Sequence, residues 1–286
     1  MIEKIRIGLT AAQIKWVAVV FMTIDHLGAY GFEIPFFAAH YNVLRLLGRI
    51  AAPLFLYMVT ESARHTRNRS KFIMRLYTAG VFTGLFSALT NCWLGDIVGI
   101  IRSGNIFFTF FYTVLYIHLL EIFIISLKEN NIKHLVICFI AFVATYLPHL
   151  FIHCIEGIDV SSWNIKNVYL LQDVANSFLP RPLYVEYSLM FFLLGIAIYF
   201  SRKRTYQLFV YSIFCIMSYG GSILIPSVHT MGSIAVFFER PQYWMIMALP
   251  FMLLYNGKLG RKHKMFFYLY YPLHRYLISI IQALLT

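Results

Sequence analysis

A chain of 286 residues that is 60% hydrophobic and 13% charged, with a mean hydropathy of +0.70, is not a soluble domain, in which roughly a quarter of residues are charged. The net charge of +12 would suit a nucleic-acid binder, but apolar stretches recur along the whole chain with basic clusters between them. That is the pattern of a polytopic membrane protein obeying the positive-inside rule, so membrane lipid is the expected surrounding and nucleic acid is not an expected partner.

Apolar segments of spanning length, roughly 17–25 residues, fall at 11–31, 46–63, 72–94, 106–127, 134–153, 183–200, 205–225, 242–256 and 265–284. The expected fold is therefore all-α: a polytopic membrane helical bundle of about nine transmembrane helices, eight to ten, forming one integral membrane domain over residues 1–286. With the N-terminus cytoplasmic, the basic residues collect inside, at Lys4, Arg6 and Lys15, Arg64 to Arg75, Lys128 and Lys133, Arg202 to Arg204, and Lys258 to Lys264. The start "MIEKIRIGLTAAQIKW" shows no short apolar core followed by a small-residue cleavage site, so no cleaved signal peptide is expected. Outside loops are expected near 32–45, 95–105, 154–182 and 226–241, and "VYLLQDVANSF" in the longest of them reads as an interfacial helix or a short re-entrant span.

The first segment carries Asp25 and His26, ten and eleven residues past Lys15, which puts both about 15–17 Å into the bilayer. Ionisable groups at that depth are costly and mark site candidates. Helical neighbours point about 100° apart, so Asp25 needs a partner other than His26. Arg45 and Arg49, four residues apart at the start of the second segment, are the best candidates, either as an interhelical clamp or as part of a site. His26 reads either as a neutral core imidazole or as a general base, its ordinary pKa lying near 6.5.

The second segment ends in "TESARHTRNRSKFIMR". If the helix continues through this run, Arg64, Arg67 and Lys71 share a face with Arg69 and Arg75 nearby, a set able to hold polyphosphate; charge alone favours a topology signal that meets anionic headgroups. The fourth segment begins with Asn105 and Thr109 and places His118 and Glu121 three apart on one face. That pair without a counterpart is weak evidence of a metal site; HExxH is absent, none of the ten histidines has demanding spacing, and no metal is expected. His149, His153 and His229 receive no role. Cys92, Cys138, Cys154 and Cys215 show no CxxC spacing, and buried free thiols are expected ahead of a Cys92–Cys154 bridge. In the last segment Pro272 interrupts the helix, and His274 and Arg275 fall at mid-depth, so the first and last segments both carry a histidine where a polar chamber would lie. GxSxG, P-loop and Gly-rich dinucleotide motifs are absent, which removes support for serine-nucleophile and ATP-driven mechanisms.

In order, "IDHLG", "LRLLGRIAAPLFLYMVTESARHTRNRSKFIMRL", "NIFFT", "LLYNGKLG" and "KMFFYLYYPLHRYLI" resemble the pattern of the TraX family of integral membrane proteins, whose named activity is N-acetylation of conjugative pilin. The family is similar in logic to multi-span acyltransferases that take acetyl-CoA on the cytoplasmic side and use a membrane-embedded histidine. The resemblance implies an acetyl-CoA-dependent acetyltransferase in the bacterial cell membrane. In it His26 is catalytic base or acyl carrier, Asp25 and Arg49 belong to the catalytic set, Arg45 lines the site, and Arg64, Arg67, Arg69 and Lys71 bind CoA phosphates. Asn105, Thr109 and His274 match motifs without an assigned role and count as substrate-binding candidates. Acetyl-CoA is then the co-substrate, and the acceptor is an amine or hydroxyl of a pilin, peptide or glycan. The other class in play is a proton-coupled transporter or flippase of an anionic envelope precursor, in which Asp25, His26 and His274 relay protons; no evident inverted repeats favour it.

Overall fold

The computed structural model describes residues 8–98, 104–156, 165–224, 241–261 and 264–285. Lys4, Arg6, Lys262, His229 and nearly all of the expected loop 226–241 lie outside them. The described residues form an all-α membrane bundle with helix in every expected apolar segment, while the helices Pro35–Ala39, most of Tyr41–Gly48 and Ile165–Phe178 stand in the stretches 32–45 and 154–182 that were expected as loops. In chain order they are α1 (Ala11–Tyr30), α2 (Pro35–Ala39), α3 (Tyr41–Gly48), α4 (Ala51–His65), α5 (Arg69–Val98), α6 (Ile106–Lys128) and α7 (Ile132–Ala144). There follow α8 (Leu147–Glu156), α9 (Ile165–Phe178), α10 (Ser188–Phe200), α11 (Arg204–Leu224), α12 (Leu249–Leu254) and α13 (Lys264–Leu285). The "VYLLQDVANSF" stretch is helical, within α9.

Four stretches among the described residues are long and apolar enough to cross a membrane: Tyr41–His65, Arg69–Gly95, Ile106–Lys128 and Ile132–Cys154. Leu189–Phe200 and Gln242–Leu254 are apolar but shorter. The segment expected at 242–256 is a 3-10 turn over Pro241–Ala248 followed by the six residues of α12, which begins at a proline-bearing turn.

Three expected helices or runs are broken, each for a local reason. The second segment divides at Gly48 to Ile50, where Pro53 in the first turn of α4 has no N–H for the Arg49 carbonyl. The run after α4 does not continue as a helix: α4 stops at His65, and the Asn68 side chain caps α5 by accepting from the Lys71 N–H at 2.9 Å. The fifth segment divides at Thr145 and Tyr146, two residues ahead of Pro148.

The chain forms two compact units, Met1–Glu61 with Phe200–Thr286, and Ser62–Tyr199. In the first, α1 packs on α3 and α13. The start of α1 is anchored by a capping box between Thr10 and Gln13 and by the "LLYNGKLG" loop. The N–H groups of Ala11 and Ala12, which have no partner inside the helix, donate to the carbonyls of Lys258 and Leu259 at 2.8 and 3.1 Å. Gly257 and Gly260 make that loop feasible at φ +82° and +70°, a region that penalises a side chain.

In the second unit α5 packs on α6 and α9, and α6 also on α7. Its core is aromatic, with Phe108, Tyr112 and Tyr116 of α6 against Phe192 of α10 and Val185. The Tyr112 hydroxyl donates to the Pro180 carbonyl at 2.6 Å, so the buried ring keeps its polar end satisfied.

Candidate functional site

α13 is apolar toward its surroundings and polar inward. Leu269, Leu273, Leu277 and Ile281 form an exposed row, while His274, Arg275, Ser279 and Gln282 are buried. A helix patterned this way presents its charges to protein because lipid would not accept them. α1 does the same with Asp25 and His26, both buried.

Both oxygens of Asp25 are bound by arginine. Oδ2 accepts from Arg45 Nη1 and Oδ1 from Arg49 Nη2, each at 2.7 Å. Arg45 lies in the last turn of α3 and Arg49 follows as its C-cap; Arg49 Nε donates back to the Arg45 carbonyl at 3.2 Å. The approach is close because Gly48 faces Asp25: a Cβ there would overlap the carboxylate. The four-residue spacing thus delivers two guanidiniums to one carboxylate, an arrangement that compensates a charge removed from water.

His26 does not use Asp25. Its Nδ1 lies 2.5 Å from Nε2 of His274, 248 residues along the chain, and the two rings are nearly parallel, at 16°. On its other nitrogen, Nδ1, His274 donates to the Tyr270 carbonyl at 2.6 Å. The Tyr270 ring stacks on His274 with centroids 4.7 Å apart, and its hydroxyl meets Thr23 Oγ1 at 2.7 Å. Tyr30 closes on His26 edge to face, and Arg275 lies over the Tyr271 ring at 4.9 Å. The first unit therefore brings together His26, Asp25, Arg45, Arg49 and His274, and adds Thr23 and Tyr270. Tyr270 was marked in the sequence by its place four residues before His274, one turn away on the same face; Thr23 carried no signal beyond lying in α1.

The remaining candidates belong to the second unit. Arg64 Nη2 donates to the carbonyls of Ile198 and Tyr199 at 2.7 and 2.5 Å, tying down the end of α10. Arg69 pairs with Glu121, and its Nη2 donates to the Ala63 carbonyl at 3.0 Å and meets the Tyr199 hydroxyl at 2.9 Å. Both guanidiniums lie over the Tyr199 ring, at 5.3 and 5.4 Å. Glu121 thus serves this helix-end network, and among the described residues no three His, Cys, Asp or Glu side chains group as metal ligands. Arg67 and Lys71 are exposed. Asn105 caps α6 by accepting from the Phe107 N–H and donates to the Gly80 carbonyl at 2.8 Å, while Thr109 donates to the Glu186 carbonyl at 2.7 Å. Among the described residues all four cysteines are free thiols: Cys138 and Cys215 are buried, Cys92 and Cys154 exposed.

Comparison with known proteins gives this arrangement a context. The probable fimbrial assembly protein FimC, serogroup H1, of Dichelobacter nodosus is 29% identical over 107 residues, covering 36% of this chain and 43% of that protein. This chain thus spans under half the length of that relative. No solved structure matches. The family model described as TraX protein matches residues 10–167, more than half of the chain, from the Thr10 cap of α1 past Asp25, His26, both clamp arginines, Asn105 and Thr109. The chain belongs to the TraX family.

Proposed function

We propose that this TraX-family protein is a membrane-embedded acetyltransferase of the cell membrane, N-terminus cytoplasmic, that moves an acetyl group from acetyl-CoA to an amine or hydroxyl of a pilin, peptide or glycan acceptor. The observation that carries the reading is the buried His26–His274 pair beside a carboxylate already compensated by two arginines. Ionisable groups at depth are costly and mark functional sites, and acyl transfer needs a base able to accept and return one proton near neutral pH.

In the proposed step a ring nitrogen of His26 removes the proton from the acceptor amine or hydroxyl. The acceptor lone pair then bonds to the acetyl carbonyl carbon. The carbonyl oxygen becomes an oxyanion within the field of Arg45 and Arg49. As the carbonyl re-forms, the carbon–sulfur bond breaks and the CoA thiolate leaves with the proton that His26 held. Asp25 keeps the two guanidiniums in place. For the donor, the exposed Arg67 and Lys71 are proposed as phosphate contacts, with Arg64 and Arg69 shaping that helix end. A pilin acceptor is supported by the activity for which the TraX family is named and by the name of the fimbrial assembly relative.

Release of free CoA from acetyl-CoA by purified protein in nanodiscs, with a pilin peptide or a small amine as acceptor, tests the reading. His26→Ala is expected to lower release by about 10²–10⁴-fold, the usual worth of a general base. Arg67→Ala/Lys71→Ala is expected to raise KM for acetyl-CoA with kcat kept. Folded protein that neither binds acetyl-CoA nor releases CoA would overturn the reading and favour a carrier of an anionic precursor.

A further inference from the structure

We infer that His274 is a positioning residue for His26: together with the Tyr270 carbonyl it holds the His26 ring in the tautomer that carries hydrogen on Nδ1 and leaves Nε2 bare. The direction of each hydrogen bond follows from what the partner is able to do. A backbone carbonyl only accepts, so His274 Nδ1, 2.6 Å from the Tyr270 oxygen, carries a hydrogen. In a neutral imidazole the other nitrogen is then an acceptor. That nitrogen, Nε2, faces His26 Nδ1 at 2.5 Å, so the hydrogen between the rings belongs to His26. His26 Nε2 is left with its lone pair.

The support behind His274 is directional as well. Thr23 has one hydroxyl hydrogen, and it is donated to the Val19 carbonyl at 2.8 Å. Thr23 Oγ1 must therefore accept from the Tyr270 hydroxyl at 2.7 Å, which fixes Tyr270 against α1. The Tyr270 ring, within 2° of parallel to His274, closes the remaining rotation. The chain runs one way, from His26 to His274 to the Tyr270 carbonyl, while the Tyr270 hydroxyl is tied through Thr23 to Val19.

A carboxylate usually plays the orienting part for a catalytic imidazole. Here the carboxylate next in sequence, Asp25, has both oxygens held by Arg45 and Arg49. A neutral imidazole takes its place. The imidazolium formed when Nε2 accepts a proton keeps its Nδ1 hydrogen bond to His274 but gains no full counter-charge from it, which suits a base that must return the proton to the leaving thiolate. This last consequence rests on the acetyl-transfer reading; the tautomer does not.

The test uses the full chain in nanodiscs with ¹⁵N-labelled histidine, the two resonance pairs assigned by their loss in His26→Asn and His274→Asn. In the wild type His26 is expected to be protonated on Nδ1 and bare on Nε2. In His274→Leu that preference is expected to disappear. His274→Gln, whose Oε1 stands near the place of Nε2 and accepts, is expected to restore it, and the shorter His274→Asn is not. CoA release is expected to follow the same order, kcat falling about 10²-fold or more in His274→Leu with KM for acetyl-CoA unchanged. Thermal unfolding of the Gln and Asn variants, similar in size, separates positioning from a loss of fold. Hydrogen on His26 Nε2, or a tautomer indifferent to His274→Leu, would overturn the inference. The expected tautomer in a protein that never releases CoA would uphold the positioning and sink the acetyl-transfer reading.

Discussion

Asp25 pays the electrostatic cost of the arginines around it, and the arrangement sets what its removal should do. Arg49 is 5% exposed and Arg45 23%. Deleting the carboxylate leaves a buried guanidinium beside a second one, while deleting Arg45 leaves Asp25 still bound by Arg49. Breaking a buried pair by taking away one member costs about 3–5 kcal/mol, and a partly exposed member costs less. Asp25→Ala is therefore expected to lower stability by about 3 kcal/mol or more in a denaturant titration of detergent-solubilised protein, and Arg45→Ala by about 1 kcal/mol. Equal losses in the two variants would mean that the carboxylate does not carry the clamp. Gly48→Ala is expected to resemble Asp25→Ala in direction, because its Cβ would occupy the carboxylate's position.

At the scale of helices, α5 shows how the second unit packs. Gly80 and Gly84 lie one turn apart: a Cβ at Gly80 would overlap the Phe108 ring of α6, and one at Gly84 the Ser177 side chain of α9. Two small residues four apart let neighbouring helices approach closely where no hydrophobic force drives them together. Gly80→Ala and Gly84→Ala are each expected to destabilise by about 1–3 kcal/mol, the range for overpacking. Gly220→Ala in α11, where no described residue lies within 4 Å of the new methyl, should instead be neutral or stabilising by up to about 1 kcal/mol. Thermal unfolding of the three variants decides this, and three equal shifts would refute the packing argument. The same contrast explains what was legible beforehand. Apolar length located the long helices but not α2, most of α3 or α9, and the i,i+4 spacing of Arg45 and Arg49 pointed to Asp25, because both are local properties. The four-residue spacing of Gly80 and Gly84 is local, but the helices they meet are not. The meeting of His26 with His274 joins positions 248 apart, a choice made by tertiary packing. The breaks at Gly48 and after His65 depended on which carbonyls and N–H groups found partners, so they lay beyond hydropathy.

For the whole molecule, the distribution of Lys and Arg fixes an expected orientation that the cysteines are placed to check. α6 has 23 residues, about 35 Å of helix, enough to cross the hydrocarbon core of roughly 30 Å. A helix that crosses has its two ends in opposite compartments. The end at Lys128 adjoins Lys133 and is expected to be cytoplasmic, so the end at Asn105 is outside. Cys92 near the end of α5 and Cys154 near the end of α8 are both exposed, and on the expected orientation both fall on the outer side, in the segments before and after α6. Cys138 and Cys215 are buried and serve as silent controls. A membrane-impermeant maleimide applied to intact cells is therefore expected to label Cys92 and Cys154. Lys133→Cys, introduced into a Cys92→Ser/Cys154→Ser background, should react only in inside-out vesicles. The reverse result would place the basic clusters outside, against the charge bias. Labelling of Cys92 and Lys133→Cys from the same side would mean that α6 does not cross, and the bundle would have to be redrawn from its most apolar helices outward.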